Sequence, residues 1–309
     1  MNKSTKAYLA LLFICIVWGT TYLVIRIAVL HCPSFLFAGL RQVISGIIIL
    51  IAGFMMSKRI DLSKSNIAHQ ALVGFLLITV GNGLVSWGEM HIPSGVAALI
   101  CSLMPIVTVI INLAISKKEK INLQIFIGMA LGFSGVALIF RNDISNISNK
   151  AYLLGAFATL IATSSWSLGS VINKKKTAHI NPLFNSGLQL FFGGILLFVC
   201  SPFIDDYSHL HFFQKEVIGS LAYLIIFGSV LAYSAYMYAL KELPVGVVAL
   251  YAYINPLVAV VLGYFILNEP LTWFTVIAFI TIVTGVYIVK YGYKLQHQNI
   301  ISTSSQPKK

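Results

Sequence analysis

Charge is scarce in this chain, and negative charge scarcest. Of 309 residues only 9 are Asp or Glu, against 21 Lys and Arg, and charged residues make up 10% in all. A water-soluble exterior needs many more polar side chains than that. With 58% hydrophobic residues and a mean hydropathy of +0.88, an ordinary aqueous domain is excluded. Metal and redox spacing is missing too. The four cysteines (Cys15, Cys32, Cys101 and Cys200) lie in or beside apolar runs, where packing is the expected role. Neither His-Glu-x-x-His nor His-x-x-Glu-His occurs, and no carboxylates converge inside an apolar run. No metal, cofactor or catalytic residue is therefore expected, and the chain is not read as an enzyme.

What the sequence does contain is apolar runs of membrane-spanning length. Hydrocarbon about 30 Å thick requires roughly 20 apolar residues per helix. Ten such runs are read, near 7–30, 35–56, 67–88, 93–115, 121–140, 151–173, 181–203, 216–240, 244–266 and 271–290. The first is too long for the apolar core of a cleaved signal peptide and is expected to be retained. Residues 291–309 read as a polar cytoplasmic tail without fixed structure.

The basic excess of +12 is explained by where it falls. With the N-terminus in the cytoplasm, the inner loops and tails collect most of the Lys and Arg, including Lys58, Arg59, Lys117, Lys118, Lys120, Lys174, Lys175 and Lys176. The outer loops hold only Arg141, Lys150 and Lys215, while Arg26 and Arg41 lie within spans. This is the positive-inside pattern of an even number of spans with both termini cytoplasmic. It is a topology signal, and no nucleic-acid partner is expected.

The chain also repeats itself. Pro93-Ser94-Gly95-Val96-Ala97-Ala98-Leu99 resembles Pro244-Val245-Gly246-Val247-Val248-Ala249-Leu250, and Pro105 then matches Pro256 at the same offset. Trp18 pairs with Trp166 and Glu119 with Glu269 at nearly that offset. Units of five spans place the second copy upside down in the membrane. The charges fit the inversion: the loop Lys117-Lys118-Glu119-Lys120 is basic, and its counterpart Leu267-Asn268-Glu269-Pro270 is not. Residues 1–145 are read as the first five-helix repeat and 146–290 as the second, inverted one.

These features, taken with Trp18-Gly19-Thr20-Thr21, Arg41, the two Pro-x-Gly starts and Glu269-Pro270-Leu271-Thr272, resemble the EamA-like branch of the drug/metabolite transporter superfamily along residues 7–290. The resemblance implies ten transmembrane helices around a central cavity. It also implies transport of amino acids, related metabolites or amphipathic drugs.

Polar side chains inside spans are costly and turn toward the bundle interior or a watery cavity. At helical spacing, the substrate-cavity candidates are Trp18, Tyr22, Arg41, Asn82, Ser86, Trp166, Ser170, Tyr233, Tyr236, Tyr251 and Asn255. For single Ser and Thr residues, helix packing competes with this role. Arg41 either holds a substrate carboxylate or satisfies backbone carbonyls. Pro105 and Pro256 are expected helix kinks at equivalent places. All nine acids are read at span ends or in loops, and Glu89 is the candidate coupling group. The fifth and tenth spans lack a polar stripe and read as lipid-facing.

The sequence therefore describes an all-α membrane protein of ten transmembrane helices in two inverted repeats around a central cavity. Its partners are the bilayer and a small-molecule substrate. An alternating-access carrier of a bacterial cytoplasmic membrane, exporting an amino acid or similar amphipathic metabolite, fits best. An uptake carrier or exchanger of the same fold is the nearest alternative. A non-transporting scaffold or membrane-embedded enzyme is the alternative from another class.

Overall fold

The computed structural model describes residues 2–56, 60–115, 122–139, 149–176, 182–208, 210–267 and 273–304, and among them there is no strand. The 145/146 boundary, the Lys117–Lys120 run and the Asn268–Pro270 segment lie outside the described residues.

Two long helices open the chain: α1 (Lys3–Val29) and α2 (Ser34–Met56). Then α3 (Lys64–Gly74), a π-helical stretch (Phe75–Asn82) and α4 (Gly83–Gly88) run on as one span. After it come α5 (Ser94–Cys101), α6 (Met104–Ile115) and α7 (Leu123–Ile139). The second half repeats the order: α8 (Lys150–Lys176), α9 (Pro182–Ile204), α10 (Lys215–Tyr223), a π stretch (Leu224–Leu231) and α11 (Ala232–Glu242). It closes with α12 (Val245–Val248), α13 (Tyr251–Leu267) and α14 (Trp273–Ser304). Among the described residues, eight of these runs are long and apolar enough to cross a bilayer, and two shorter apolar stretches, Leu123–Leu138 and Val245–Val258, accompany them.

Small residues decide which helices touch, because lipid tails provide no hydrophobic drive between helices and backbones must approach closely instead. Helix α2 lies along α9, and α7 along α14. A Cβ on Gly46 would stand 2.6 Å from the Phe191 backbone nitrogen, and one on Gly285 2.6 Å from the Gly132 nitrogen. Helix α1 packs on α11 and α13, while α8 packs on the first π stretch and α6. Phe126 and Phe279 are exposed on α7 and α14, and the α14 span is the least buried of all, at 22%.

Each half has a helix break near its expected kink proline. The gap between α5 and α6 falls at Ser102-Leu103, just before Pro105, whose missing N–H leaves the Cys101 carbonyl without its helical partner. The gap between α12 and α13 falls at Ala249-Leu250, and Pro256 lies inside α13. One sequence expectation needs correction, that for the tail, which is helical through Ser304. No proline interrupts it before Pro307, and Gly292 is tied to the bundle where its carbonyl accepts from Asn122 Nδ2 at 2.8 Å.

The helix ends gather at two opposite faces. At one face the lysines at the end of α8 cap neighbouring helices: Lys174 Nζ donates to the Lys241 carbonyl at 2.6 Å and Lys175 Nζ to that of Ile115 at 2.9 Å. At the other, the Asp205 carboxylate after α9 accepts from the Phe35 and Leu36 backbone N–H groups, at 3.1 and 2.8 Å.

Candidate functional site

Between the two faces, a cavity of about 80 Å³ opens where α1, α2, the two π stretches, α8 and α13 converge. Its floor is aromatic. The rings of Trp18 and Trp166 meet edge to face, centroids 5.6 Å apart, and Tyr251 stands 4.8 Å from Trp18. Tyr233 stands 6.3 Å from Trp166, again edge-on at 89°. Such edge-to-face pairs suit the quadrupole of the rings. Each polar edge is satisfied: Trp18 Nε1 donates to the Gly228 carbonyl at 3.0 Å, and Trp166 Nε1 to the Tyr236 hydroxyl at 3.2 Å.

Arg41 is the one charged side chain in the described wall. It is 3% exposed, and its Nε donates to Ser229 Oγ at 2.9 Å. Ser229 in turn donates to Gln42 Oε1 at 3.2 Å. These bonds hold the guanidinium in place through one nitrogen and leave the rest of its fork beside the cavity. The opposite wall is uncharged. Asn255, with its amide turned to donate, reaches the Cys15 and Tyr251 carbonyls, both at 3.0 Å.

Of the residues singled out by sequence, Trp18, Tyr22, Arg41 and Asn82 line this cavity from the first half of the chain. Trp166, Tyr233, Tyr251 and Asn255 line it from the second. Ser86, Ser170 and Tyr236 do not. Ser86 and Ser170 return their hydroxyls to the carbonyls one turn back, those of Asn82 and Trp166, at 3.0 and 2.6 Å. Tyr236 fills the space behind Trp18 and is bound to Ser170 at 2.5 Å.

Glu89 lies at a span end, as expected, yet it is fully buried, one residue beyond α4. Neither of its carboxylate oxygens accepts a hydrogen bond from a described residue. The charges whose fields reach it are Arg26 and Arg41. Arg26 Nη1 is likewise buried without a hydrogen bond. Arg41 stands in the cavity wall, and neither Arg26 nor Glu89 is part of it.

Sequence periodicity overlooked two sets of residues. Thr21 and Gln42 belong to the wall. A ladder of amides also descends from the floor: Tyr233 Oη donates to Gln189 Oε1 at 2.8 Å, Gln189 Nε2 to Gln70 Oε1 at 2.5 Å, and Gln70 Nε2 to Asn66 Oδ1 at 2.9 Å. All three amide residues are at most 1% exposed. An uncharged amide inside an apolar run was the available signal.

The family model described as the EamA-like transporter family matches this chain twice, at residues 5–141 and 153–291. The uncharacterized inner membrane transporter YedA of Escherichia coli is 32% identical over 286 residues, covering 92% of this chain and 90% of that protein. The uncharacterized transporter YvbV of Bacillus subtilis is 26% identical over 293 residues, 94% of each chain. A solved crystal structure shares the fold at a TM-score of 0.76 and 17% identity, covering 94% of this chain and 99% of that one.

Proposed function

The chain belongs to the EamA-like transporter family, and from that membership we propose an alternating-access carrier that exports an amino acid or similarly sized amphipathic metabolite bearing a carboxylate. The observation that carries this reading is the composition of the cavity wall. Trp18, Trp166, Tyr233 and Tyr251 offer π-faces and edges for an apolar or aromatic body, and Arg41 offers a guanidinium for the carboxylate.

Size supports alternating access. Ligand sites usually enclose about 300–1,000 Å³, and this cavity holds only about 80 Å³. A metabolite enters when the helices part. The breaks between α5 and α6 and between α12 and α13 supply hinges close to the floor, where discontinuous helices commonly bind solutes in transporters.

The carrier is proposed to consist of two inverted five-helix repeats, residues 1–145 and 146–290. The double family match supports this. So does the exchange of partners between the halves, in which α1 meets α11 and α13 while α8 meets the first π stretch and α6. We place it in the cytoplasmic membrane of a bacterium with both termini inside, the lysine-rich face being cytoplasmic. Glu89, beside Arg26 and Arg41, is the candidate group for coupling to protons.

Flux through purified protein in liposomes, across neutral, anionic and cationic metabolites of similar size, tests the substrate class. Saturable flux of carboxylates with apolar or aromatic bodies is expected, and preferred flux of polyamines or quaternary cations would overturn it. A periplasm-dependent reporter fused after Lys176 should be silent; activity there would reverse the orientation.

A further inference from the structure

A second cavity lies far from the aromatic floor, at the lysine-rich face. It measures about 450 Å³ and is framed by Tyr8, Pro244, Val247, Tyr287, Lys290, Tyr291, Tyr293 and Lys294. We infer that this cavity is a binding site for the phosphate headgroup of an anionic phospholipid in the leaflet it faces.

The arrangement follows from the end of α14. Lys290 and Lys294 are one turn apart and share a face with Tyr287 and Tyr291. They come directly after the apolar run, so the ammonium groups stand at the level where hydrocarbon gives way to headgroups. Helix α1 contributes Tyr8, whose ring holds Lys290 Nζ at 4.6 Å from its centroid. That contact turns the lysine over the cavity and leaves its N–H groups free to meet an anion.

Charge complementarity selects the ligand. Among the described residues no carboxylate lines the cavity. Glu242, two residues before Pro244, is not part of its wall. A basic pocket between helices at the membrane surface is what a lipid phosphate requires. The apolar part of the wall distinguishes a lipid from a free anion. Val247 and the tyrosine rings line the cavity, Tyr287 is 68% exposed, and Val283 one turn before it is 45% exposed on the bilayer side. A glycerol backbone and the first acyl carbons fit against such a surface, whereas inorganic phosphate gains nothing from it.

Native mass spectrometry and thermal melting of the detergent-purified full chain test this. The protein is titrated with phosphatidylglycerol, phosphatidylcholine or inorganic phosphate. Phosphatidylglycerol should bind and raise the melting temperature, and the other two should do neither. Each lysine removed should weaken binding roughly fivefold, so Lys290→Gln with Lys294→Gln should weaken it by more than about tenfold. The paired Lys→Arg variants should retain binding, which separates loss of charge from loss of fold. Equal binding of phosphatidylcholine, unchanged affinity in the Gln variant, or saturation by inorganic phosphate alone would overturn the assignment.

Discussion

Trp18 and Trp166, one from each half of the chain, meet edge to face with their ring planes at 89°. Each tryptophan is only 8% exposed, and each bonds through its indole N–H to the stretch Gly228–Tyr236. The pair is therefore part of the fold as well as of the cavity. This decides which substitutions can report on transport.

Truncating a buried tryptophan to alanine costs about 3–5 kcal/mol, enough to confuse lost folding with lost binding. Trp166→Phe keeps most of the ring volume, and Tyr233→Phe removes only the bond to Gln189. The expected result is normal detergent-solubilised protein with KM raised several-fold for aromatic-bodied solutes in Trp166→Phe. Liposome flux measures it. Unchanged KM would mean that the solute never meets this ring.

Gly46 tests helix packing. A side chain there meets the Phe191 backbone at 2.6 Å, and backbone cannot turn aside as a flexible side chain can. Gly46→Val should destabilise the bundle by about 1–3 kcal/mol or more, visible as a lower melting temperature and loss of the monodisperse peak. Gly219→Ala, which meets nothing within 4 Å inside α10, is the control and should melt no lower than the parent.

Asp205 joins the end of α9 to the start of α2. Besides two backbone N–H groups it accepts from Ser34 Oγ at 3.2 Å and Ser201 Oγ at 2.6 Å. A carboxylate at a helix N-terminus caps the free N–H groups and opposes the dipole. Asp205→Ala should cost about 1–2 kcal/mol of stability, with Asp205→Asn intermediate. Identical melting of all three proteins would remove the cap from the list of stabilising contacts.

The membrane fold was legible because apolar runs of spanning length follow from bilayer thickness alone, and eight helices of that kind stand among the described residues. Part of the cavity was legible for a similar reason: Trp18 and Tyr22 are four apart on a regular helix. Periodicity failed where the helix is not regular. The π stretch Phe75–Asn82 shifts the face of its span, so Thr79, three residues before Asn82, donates to the Gly193 carbonyl rather than lining the cavity beside it. Ser86 and Ser170 return their hydroxyls to carbonyls one turn back, and Ser170 also meets the Tyr236 hydroxyl, none of which spacing can reveal. The burial of Glu89 follows the packing of α8, α2 and α1 against α4, and its place at a span end gave no hint of that.

Arg41 and Glu89 provide the most discriminating experiment. Arg41 is held by Ser229 through Nε, leaving its other nitrogens available, while Glu89 is buried with no hydrogen bond from a described residue. If Arg41 holds a substrate carboxylate, Arg41→Gln should lower flux of carboxylates by about tenfold to a hundredfold, since a charge-assisted hydrogen bond is worth about 1.5–3 kcal/mol. Neutral analogues of the same size should change little. If Glu89 couples transport to protons, Glu89→Gln should remove the dependence of flux on a proton gradient for carboxylates and neutral analogues alike, without changing the ratio between them. Arg41→Gln should change that ratio and keep the gradient dependence, which a purely structural role for the two residues would not produce. Melting of each variant, measured alongside flux, separates unfolding from altered selectivity. If folded Arg41→Gln carries both classes equally well, Arg41 serves only the fold, and the substrate charge must be met elsewhere in the wall.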